Sequence, residues 1–517
     1  MGKLVTTIRN NFGGGLSNDK RAKSATMFSF SQHFDTFTWK NKLVPYYGTQ
    51  ANETKALNIV KFLYAESGTS GNFFLYGFGV ESGSSRPAVY KLNIGSGAST
   101  NSWATPANHD ATSGGARYED VFFYYKDYIY MLNTRYVTRF DTSEAAGFAN
   151  TYQDLTTITT AVQPLIHPNT DIAYFFINNV IYSLDDPDGA GAGWATALTL
   201  PDNLEITASC LFGNYIAIAV AEKRENSVYR GATKSTVYIW DLNSSLTAIN
   251  DTVDFGAGRI IHLANLDNQI MAIVDNASGS NALDDGRIYI KKASGRKSVT
   301  LNEIVLDADI NDANANALPD TPKTNFVENN KLYFPLKAPL DGNNRLGIWV
   351  VDGNGKTTVD FVEGEATSYE GIFKTGSVWW IAHSNDGSVN HSDDNSVRES
   401  RYSTTTSSVV ETLVNMGDSR ITSDQKWKLI GVTLMMEYLP GAGQVILEYK
   451  KDENIDGNTY VTIFTEDTND SIRFDAINIS GDTLPQFNEM ILRAKSTGGA
   501  IITGIKWKVE LIPDTKY

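Results

Sequence analysis

Histidine is the side chain that most often acts as a general base or a metal ligand near neutral pH, and this chain contains six of them. No HExxH pair is present. His383 and His391 flank Ser384–Gly387 and precede Asp393 and Asp394, which makes this the densest polar cluster in the sequence. These groups could hold a metal ion, but we favour a solvated hairpin loop between two strands.

A second candidate metal site begins at Asp452 and matches the first half of an EF-hand calcium loop. Asp452, Asn454 and Asp456 supply oxygen ligands at positions 1, 3 and 5, and Gly457 stands at position 6. Position 12 is Ile463, so the bidentate glutamate is missing, and the flanking segments have the pattern of strands. An Asp-Gly hairpin turn is therefore favoured. Asp452, Asn454 and Asp456 remain candidate metal ligands, and no cofactor is expected.

Neither a nucleophile nor a catalytic motif emerges from the remaining residues. Cys210, the single cysteine, adjoins Leu211 and Phe212 in an apolar strand, which predicts a small core residue. No GxSxG, P-loop or Rossmann glycine motif is present. Trp379 and Trp380 could form a platform for a sugar ring, although paired tryptophans on a strand more often pack against the next sheet. The chain is therefore predicted not to be an enzyme.

Composition restricts the class of protein further. The chain has 517 residues, which allows roughly three domains or one large repeat array with a smaller partner. Its 41% hydrophobic and 20% charged residues are ordinary for a globular protein and exclude wholesale disorder. Acids outnumber bases by 59 to 44, giving a net charge of −15, which argues against a phosphate-binding surface as the main role. No secretory signal and no membrane-spanning segment is found, so synthesis in the cytoplasm without a membrane anchor is expected.

One pattern recurs along the chain: two apolar strands joined by a two-residue polar turn. Because Asn, Asp and Gly tolerate positive φ angles, each copy predicts a β-hairpin. The turns are Lys126-Asp127, Asn178-Asn179, Gly213-Asn214, Asp267-Asn268, Asn329-Asn330 and Thr375-Gly376. They follow one another at intervals of 35 to 62 residues, about 50 on average. A looser hairpin joins Asn58–Ala65 to Phe73–Val80 one interval earlier.

Several of these units carry a third strand. The third strands are Ala88–Ile94, Val137–Phe140, Thr236–Leu242, Arg287–Lys292 and Leu346–Val351, and three end at Asn93, Asp141 and Asp352. Repeats of about 50 residues with three or four short antiparallel strands are typical of β-propeller blades. Residues 56–420 are therefore predicted to form an all-β propeller of six or seven blades. The number stays open because an interval of 35 residues is short for a complete unit.

Two regions lie outside the repeats. Residues 1–55 are predicted to be an extended N-terminal arm, which either closes the first or last blade with a strand or lies on a neighbouring subunit. Residues 421–517 are predicted to form a C-terminal antiparallel β-sandwich, preceded by a linker that contains the strand Val409–Asn415. Its six strands are Trp427–Tyr438, Gln444–Lys450, Tyr460–Thr465, Ser471–Asn478, Glu489–Ser496 and Ile501–Leu511.

Parts of the sequence resemble propeller proteins encoded in tailed-bacteriophage genomes. The segments that carry the resemblance are Thr7–Asp19, His33–Asp35, Lys42–Pro45 and Glu119–Tyr130. Leu484–Phe487 followed by Leu492–Lys495 resembles the sandwich modules that end phage tail proteins. Since propellers occur in the tail hub or nozzle of short-tailed phages, the resemblance implies a structural role in the tail and supplies no catalytic residue.

Three functions are ranked on this basis. The first is a structural virion component, a tail nozzle, hub or adaptor, that assembles into a ring with copies of itself, binds other phage tail proteins and lets DNA pass without specific binding. The second is a receptor- or glycan-binding tail protein, whose partner is on the host surface and whose propeller face presents aromatic residues. The third is a propeller hydrolase of polysaccharide, which would need convergent acids or arginines; no such set repeats between units.

Overall fold

A computed structural model shows a chain built from β-strands. The residues that the structure describes are 3–9, 15–16, 27–28, 30–32, 34–35, 41–45, 49–51, 58–66, 73–80, 87–93, 117–188, 193–223, 234–244, 249–276, 287–305, 325–340, 343–363, 369–375, 378–383, 389–392, 408–413, 421, 424–452, 459–469, 473–476 and 485–513. Within these ranges there is no α-helix, and hence no helix that could cross a membrane.

Seven antiparallel meanders, numbered here as blades 1 to 7, make up the larger part. The first three blades contain Asn58–Glu66, Phe73–Val80 and Pro87–Asn93; Arg117–Tyr125, Tyr128–Asn133, Tyr136–Asp141 and Phe148–Asp154; and Ala161–His167, Ile172–Ile177, Val180–Leu184 and Trp194–Thr199. Blades 4 and 5 contain Leu204–Phe212, Tyr215–Glu222, Lys234–Trp240 and Ile249–Ala257; and Arg259–Leu266, Gln269–Asp275, Arg287–Ser294 and Lys297–Val305. Blades 6 and 7 contain Phe326–Glu328, Lys331–Leu340, Asn343–Asp352 and Thr357–Glu363; and Tyr369–Thr375, Val378–His383, Val389–Ser392 and Thr49–Ala51.

The blades form a closed ring, which confirms the predicted all-β propeller. The first strand of each blade is its inner strand, and neighbouring blades touch along these strands, including blade 7 against blade 1. The fourth strand of blade 7 comes from the N-terminal segment, where Gln50 pairs with His391. One of the two predicted roles for residues 1–55, closing the last blade with a strand, is therefore observed. Among the described residues there are seven blades.

The short interval in the repeat has a structural explanation. Most of the predicted turns join the first and second strands of a blade, but Asn178-Asn179 joins the second and third strands of blade 3. The first turn of that blade lies at Pro168–Asp171, between Ala161–His167 and Ile172–Ile177. The interval of 35 residues is thus measured between two turns that lie at opposite ends of their sheets. Blade 3 has all four strands.

The hairpin turns adopt the conformations that their residues favour. Both turn residues have positive φ at Lys126-Asp127, Asp267-Asn268 and Asn329-Asn330, as a type I′ turn requires. Gly213 and Asn178 have φ of 60° and 57°. Four of the five predicted third strands also follow their blade's hairpin in the expected order, and the fifth, Pro87–Asn93, completes the described part of blade 1.

A second unit consists of two sheets that enclose a common apolar core. One sheet has the order Leu4–Arg9, Ile502–Leu511, Trp427–Met436 and Arg473–Ala476, with Gln486–Phe487 also paired to Trp427–Met436. The other has the order Val461–Glu466, Gln444–Lys451, Met490–Thr497, Ser408–Leu413 and Phe30–Gln32. Trp427, Trp507, Leu447 and Leu492, from both sheets, are fully buried in one cluster. All six strands predicted for the sandwich are present.

At two predicted domain boundaries, the structure pairs strands that the sequence pattern assigns to different regions. Ser408–Leu413, assigned from sequence to the linker, pairs with Met490–Thr497 inside the sandwich. Leu4–Arg9 and Phe30–Gln32, assigned to an arm, are edge strands of the two sandwich sheets. Hydrogen bonding to strands about 80 to 500 residues away decides these assignments, and local sequence pattern does not report it.

The N-terminal segment also connects the sandwich to the propeller. Phe30–Gln32 lies against Thr357–Glu363, the outer strand of blade 6. The backbones of Leu43 and Ile502 exchange two hydrogen bonds of 2.7 and 3.2 Å. Two short pairs complete its described structure: Gly15–Leu16 with Met27–Phe28, and Phe34–Asp35 with Val44–Pro45. The described strands of this segment pair within the chain, and its predicted contact with a neighbouring subunit stays a prediction.

Candidate functional site

The inner strands share a feature that shapes the centre of the propeller. In six blades the register between the inner strand and its neighbour shifts near the start of the strand, as a β-bulge does. The shifts lie between Ile59 and Lys61, Tyr118 and Phe122, Val162 and Leu165, Ile206 and Ala208, Ile260 and His262, and Tyr369 and Gly371. A bulge bends its strand and re-aims the side chains that follow.

A cavity of about 440 Å³ lies at the level of these bulges, between the inner strands of blades 3 to 6. Small side chains form part of its lining, among them Ala161, Ala208 and Ala264. The sixteen lining residues include no charged and no aromatic side chain. The polar members of the lining are Gln163, Thr207, Ser209, Asn265 and Asn325.

Lys61 places a cation beside this cavity. Its side chain leaves blade 1 immediately after the bulge, is only 6% exposed, and donates from Nζ to Gln163 Oε1 at 3.4 Å. The ammonium group therefore reaches from blade 1 to blade 3 near the axis of the ring. Because these side chains cross the channel, the propeller axis itself is not a conduit for double-stranded DNA.

His262 occupies the position in blade 5 that Lys61 occupies in blade 1. The imidazole is fully buried, and Asn325 donates from Nδ2 to its Nδ1 at 3.0 Å, which places the ring proton on Nε2. Burial, and secondarily the positive charge of Lys61, lowers the pKa of His262 to about 3. The ring is therefore neutral at pH 7 and is not tuned for proton transfer, which works best with a pKa near the working pH.

Cys210 lines the cavity and packs on the core between blades 4 and 5. Burial raises the pKa of its thiol to about 12, so the thiolate that nucleophilic attack requires is scarce at neutral pH. This agrees with the interpretation of Cys210 as a small core residue.

A buried ion pair joins blades 4 and 5 on the strand-start side of the cavity. Arg259 donates from Nη1 to Glu205 Oε1, and the two side chains are only 13% and 5% exposed. Both residues belong to inner strands, so the pair ties two neighbouring blades together close to the axis. Sequence reasoning missed this pair because its partners are 54 residues apart and each has an ordinary local context.

The structure assigns Trp380 a role in packing. It is 3% exposed and belongs to a cluster with Phe62, Leu75 and Tyr90, so it holds blade 7 against blade 1. Such a buried ring cannot stack on a sugar, and the predicted packing role is the one observed. The side chain of Trp379 lies outside the described residues.

The two candidate metal sites are only partly described. The backbones of His383 and His391 lie in strands of blade 7, but their side chains and residues 384–388 and 393–394 lie outside the described set. Asp452 directly follows the strand Gln444–Lys451, and its Oδ1 accepts hydrogen bonds from the amides of Asn488 at 2.6 Å and Glu489 at 3.1 Å.

Asn454 and Asp456 also lie outside the description, so calcium binding stays a prediction. In the ranges that the structure covers, no three His, Cys, Asp or Glu side chains are grouped as metal ligands.

A repeated turn follows the third strand of four blades. Asp141, Asp186, Asp241 and Asp352 each accept, on Oδ1, the amide of the residue two positions later. The four distances are 2.8 Å to Ser143, 3.1 Å to Asp188, 3.1 Å to Asn243 and 2.9 Å to Asn354. The signal in the sequence is Asp-x-Ser, Asp-x-Asp or Asp-x-Asn after a strand, and only Asp141 and Asp352 were recognised from it.

These turns and the first hairpin turns meet on one face of the propeller. In blades 2 and 3 this face presents what we call the acidic turn patch: the exposed residues Asp127, Asp171, Asp185, Asp186 and Asp188. Lys126 is the cation in the middle of it, with Nζ 3.4 Å from Asp171 Oδ2 and 2.7 Å from the backbone oxygen of Asp185. Arg139 is a second cation at this patch, with Nη1 donating to the backbone oxygen of Pro187. Five carboxylates against these two cations leave the patch negative.

The sandwich carries a surface of opposite charge. The outward side of its first sheet, here the basic sandwich face, presents Lys428, Lys506, Lys508 and Arg473, with Glu510 as the acid among its described side chains. Beside Lys506 and Glu510, the edge strand exposes Ile8 (54%) and Leu4 (50%). Cations next to exposed aliphatic side chains form a surface suited to contact with an acidic protein surface.

Comparisons with known proteins add little beyond the fold class. No protein-family model and no curated protein matches the chain. Among solved structures it is similar to catalytically inactive virginiamycin B lyase from Staphylococcus aureus, with 12% identity, a TM-score of 0.42, and coverage of 67% of this chain and 98% of that chain.

It is also similar to the Dos1 propeller, with 11% identity, a TM-score of 0.38, and coverage of 67% of this chain and 94% of that chain. A third similar structure is BamB from Moraxella catarrhalis, with 10% identity, a TM-score of 0.33, and coverage of 68% of this chain and 99% of that chain. At these identities and TM-scores, no activity or partner can be transferred. The chain is a β-propeller with an attached sandwich.

Proposed function

We propose that the chain is a non-enzymatic structural component of a bacteriophage virion, a tail nozzle, hub or adaptor, which assembles into a ring with copies of itself. The observation that carries the proposal is the charge complementarity between two surfaces of one chain, the basic sandwich face and the acidic turn patch. Because these surfaces differ, their contact would be heterologous, and repeated heterologous contacts close into a ring when the rotation permits.

The interior of the propeller also supports a role without catalysis. The cavity has no charged side chain in its lining, its cysteine has a raised pKa, and its neighbouring histidine is held neutral. A glycan site is not favoured there either, since no aromatic ring lines the cavity and Trp380 is buried.

Oligomeric mass, measured by light scattering at low and high salt, tests the assembly. We expect a closed oligomer at low salt that weakens as salt screens the charges. The pair Lys506→Glu/Lys508→Glu and the pair Asp185→Lys/Asp188→Lys should each give monomers. Mixing these two proteins makes the unchanged surfaces complementary to each other and the reversed surfaces complementary to each other, and should yield oligomers in which the two variants alternate. Lys223→Glu, an exposed change away from both surfaces, is the control.

Point variants are preferable to removal of residues 1–55, because that segment supplies strands to the sandwich and to blade 7. A wild-type monomer at all salt concentrations, or charge-reversed variants with unchanged mass, would contradict the ring. The virion location is tested separately: mass spectrometry of purified phage particles from the source of the sequence should detect the chain, and its absence from them would refute that part of the proposal.

A further inference from the structure

The cavity among blades 3 to 6 has the properties of a binding site that the ring assembly does not use. We propose that it binds a small, uncharged organic molecule with an apolar body and one or two hydrogen-bonding groups, of the class of cyclic or aliphatic alcohols, amides and lactones. The proposal is independent of the proposed virion role, since its evidence comes only from the interior of the propeller.

The size and origin of the cavity favour a ligand. Its volume of about 440 Å³ lies within the range of about 300 to 1,000 Å³ that is typical of small-molecule sites. It is formed by paired inner strands, their bulges and the small residues Ala161, Ala208 and Ala264, rather than by a loose surface loop. A space enclosed by hydrogen-bonded strands is pre-formed, so a ligand would not need to reorganise the protein before binding.

The charge of the lining selects a neutral molecule. No lining side chain is ionised, and the nearby ammonium of Lys61 already bonds to Gln163. The thiol of Cys210 and the imidazole of His262 are both uncharged at neutral pH. An ammonium ion that entered would lose its hydration and meet the like charge of Lys61, which costs several kcal/mol or more. A carboxylate would lose its hydration for a single neighbouring cation whose ammonium is already bonded to Gln163.

Two hydroxyl groups indicate where the polar end of the ligand would bind. Thr207 and Ser209 line the cavity on blade 4, and their hydroxyl oxygens are buried without a hydrogen-bond partner in the described structure. Thr207 is the extra residue of the bulge, and Ser209 follows it on the same strand. Rotation of either side chain about its Cα–Cβ bond would turn the hydroxyl toward a ligand, which would then be its hydrogen-bond partner. The amide of Asn265, from blade 5, is a second polar group in the lining.

The rest of the lining defines the body of the ligand. Val162, Leu165, Ile261 and Leu263 are aliphatic, and burying an apolar surface against them releases water. Without an aromatic side chain in the lining, the face of a sugar ring or of a nucleobase has nothing to stack on. An aliphatic body with a single polar end therefore fits better than a polyol.

Cys210 allows a direct test, because it is the single cysteine and it lines the cavity. The full-length protein is incubated with N-ethylmaleimide, a small neutral reagent, for hours at mildly alkaline pH, because the raised pKa of the thiol slows labelling, and labelling is followed by intact mass. Melting temperature is the second readout and does not depend on the thiol. Four compounds that share one ring are compared: cyclohexanol, cyclohexanecarboxamide, cyclohexanecarboxylate and cyclohexylamine. We expect the two neutral compounds to slow labelling at least threefold and to raise the melting temperature, and the two charged compounds to do neither.

Variants distinguish the cavity from other binding places. Ala208→Leu and Ala264→Leu fill the space and should remove the effect of the neutral compounds on melting temperature. Thr207→Val keeps the shape but removes one hydroxyl, and should weaken the effect severalfold. Ala195→Leu, on an exposed outer strand, should behave like wild type. Melting without compound shows whether each variant is folded.

Three outcomes would overturn the proposal. The first is equal protection of Cys210 by charged and neutral compounds, and the second is full protection in Thr207→Val together with an undiminished melting shift in the filled variants. The third is no protection and no melting shift by any of the four compounds, which would leave a cavity that holds only water.

Discussion

The side-chain amide of Gln163 on blade 3 makes two hydrogen bonds to the backbone of Phe122 on blade 2, one as donor and one as acceptor, as a residue of a neighbouring strand would. Gln163 Nε2 donates to the Phe122 oxygen at 2.9 Å, and the Phe122 amide donates to Gln163 Oε1 at 3.5 Å. The bulge that precedes Phe122 disturbs the strand pairing of blade 2 at this point. Phe122 stays in register with Met131, and the side chain of Gln163 bonds to the free edge of this inner strand. Through Lys61 the same amide also contacts blade 1.

We expect Gln163→Leu to destabilise the propeller by about 1 to 3 kcal/mol, because it leaves buried backbone groups of Phe122 without partners. Gln163→Glu should cost less, since it keeps the acceptor for the Phe122 amide and attracts Lys61. Chemical unfolding monitored by tryptophan fluorescence measures the difference. Gln153→Leu, a half-exposed glutamine of blade 2, is the control, and equal losses for Gln153 and Gln163 would contradict this role.

Asn178 organises the connections on both sides of blade 3. Its Oδ1 accepts from the amides of Thr159 (2.8 Å) and Thr160 (3.0 Å), and its Nδ2 donates to the Thr157 oxygen at 2.9 Å. Its φ of 57° lies in the left-handed region. Asn178→Gly should lose the side-chain bonds alone, and Asn178→Ala should lose them and add about 1 to 2 kcal/mol of backbone strain. Thermal unfolding of both variants checks the order, which an Ala variant as stable as the Gly variant would contradict.

The ion pair between Glu205 and Arg259 should show strong coupling. Removing one partner, in Glu205→Gln or Arg259→Met, leaves a buried charge and should cost about 3 to 5 kcal/mol. Replacing both, in Glu205→Leu with Arg259→Met, should cost much less than the sum of the single changes. A double-mutant cycle on urea unfolding measures the coupling. Additive losses would mean that the two charges do not depend on each other.

His262 should make stability fall in acid. Its pKa of about 3 in the folded protein lies below the ordinary value of about 6.5, so between these values the unfolded chain binds the extra proton. The contribution is therefore complete above about pH 6.5 and is lost as the pH falls toward 3, with a slope of up to about 1.4 kcal/mol per pH unit. Unfolding of the wild type and of His262→Gln is compared at pH 7.5 and pH 5. The wild type should lose more; an equal loss would show that His262 does not titrate on unfolding.

Local features of the fold were predictable from the sequence. The turns Asp267-Asn268 and Asn329-Asn330 adopt positive φ because of what those residues are, whatever surrounds them. The sandwich strands could be delimited because apolar residues alternate with polar ones, as in Ile502–Leu511. The assignment of Asn178-Asn179 shows the limit: a hairpin turn can be recognised, but its place within a blade depends on pairing with a third strand.

Features that depend on distant parts of the chain were not predictable. Leu4–Arg9 belongs to the sandwich because it pairs with a strand almost 500 residues later, and nothing in its own residues reports this. The cavity could not be predicted because its lining comes from the inner strands of four blades, which only the ring arrangement brings together. The acidic turn patch could not be predicted either, because the sequence does not show which turns lie on the same face of the propeller.

The pairing of Leu4–Arg9 with Ile502–Leu511 has a consequence for synthesis. Leu4–Arg9 leaves the ribosome before its partner strand, about 25 to 100 s earlier at ~5–20 residues per second. Thr49–Ala51 likewise waits for Val389–Ser392 before the ring of blades can close. During this time a nascent chain carries two unpaired strands, and a chaperone that shields such edges would act on this protein early.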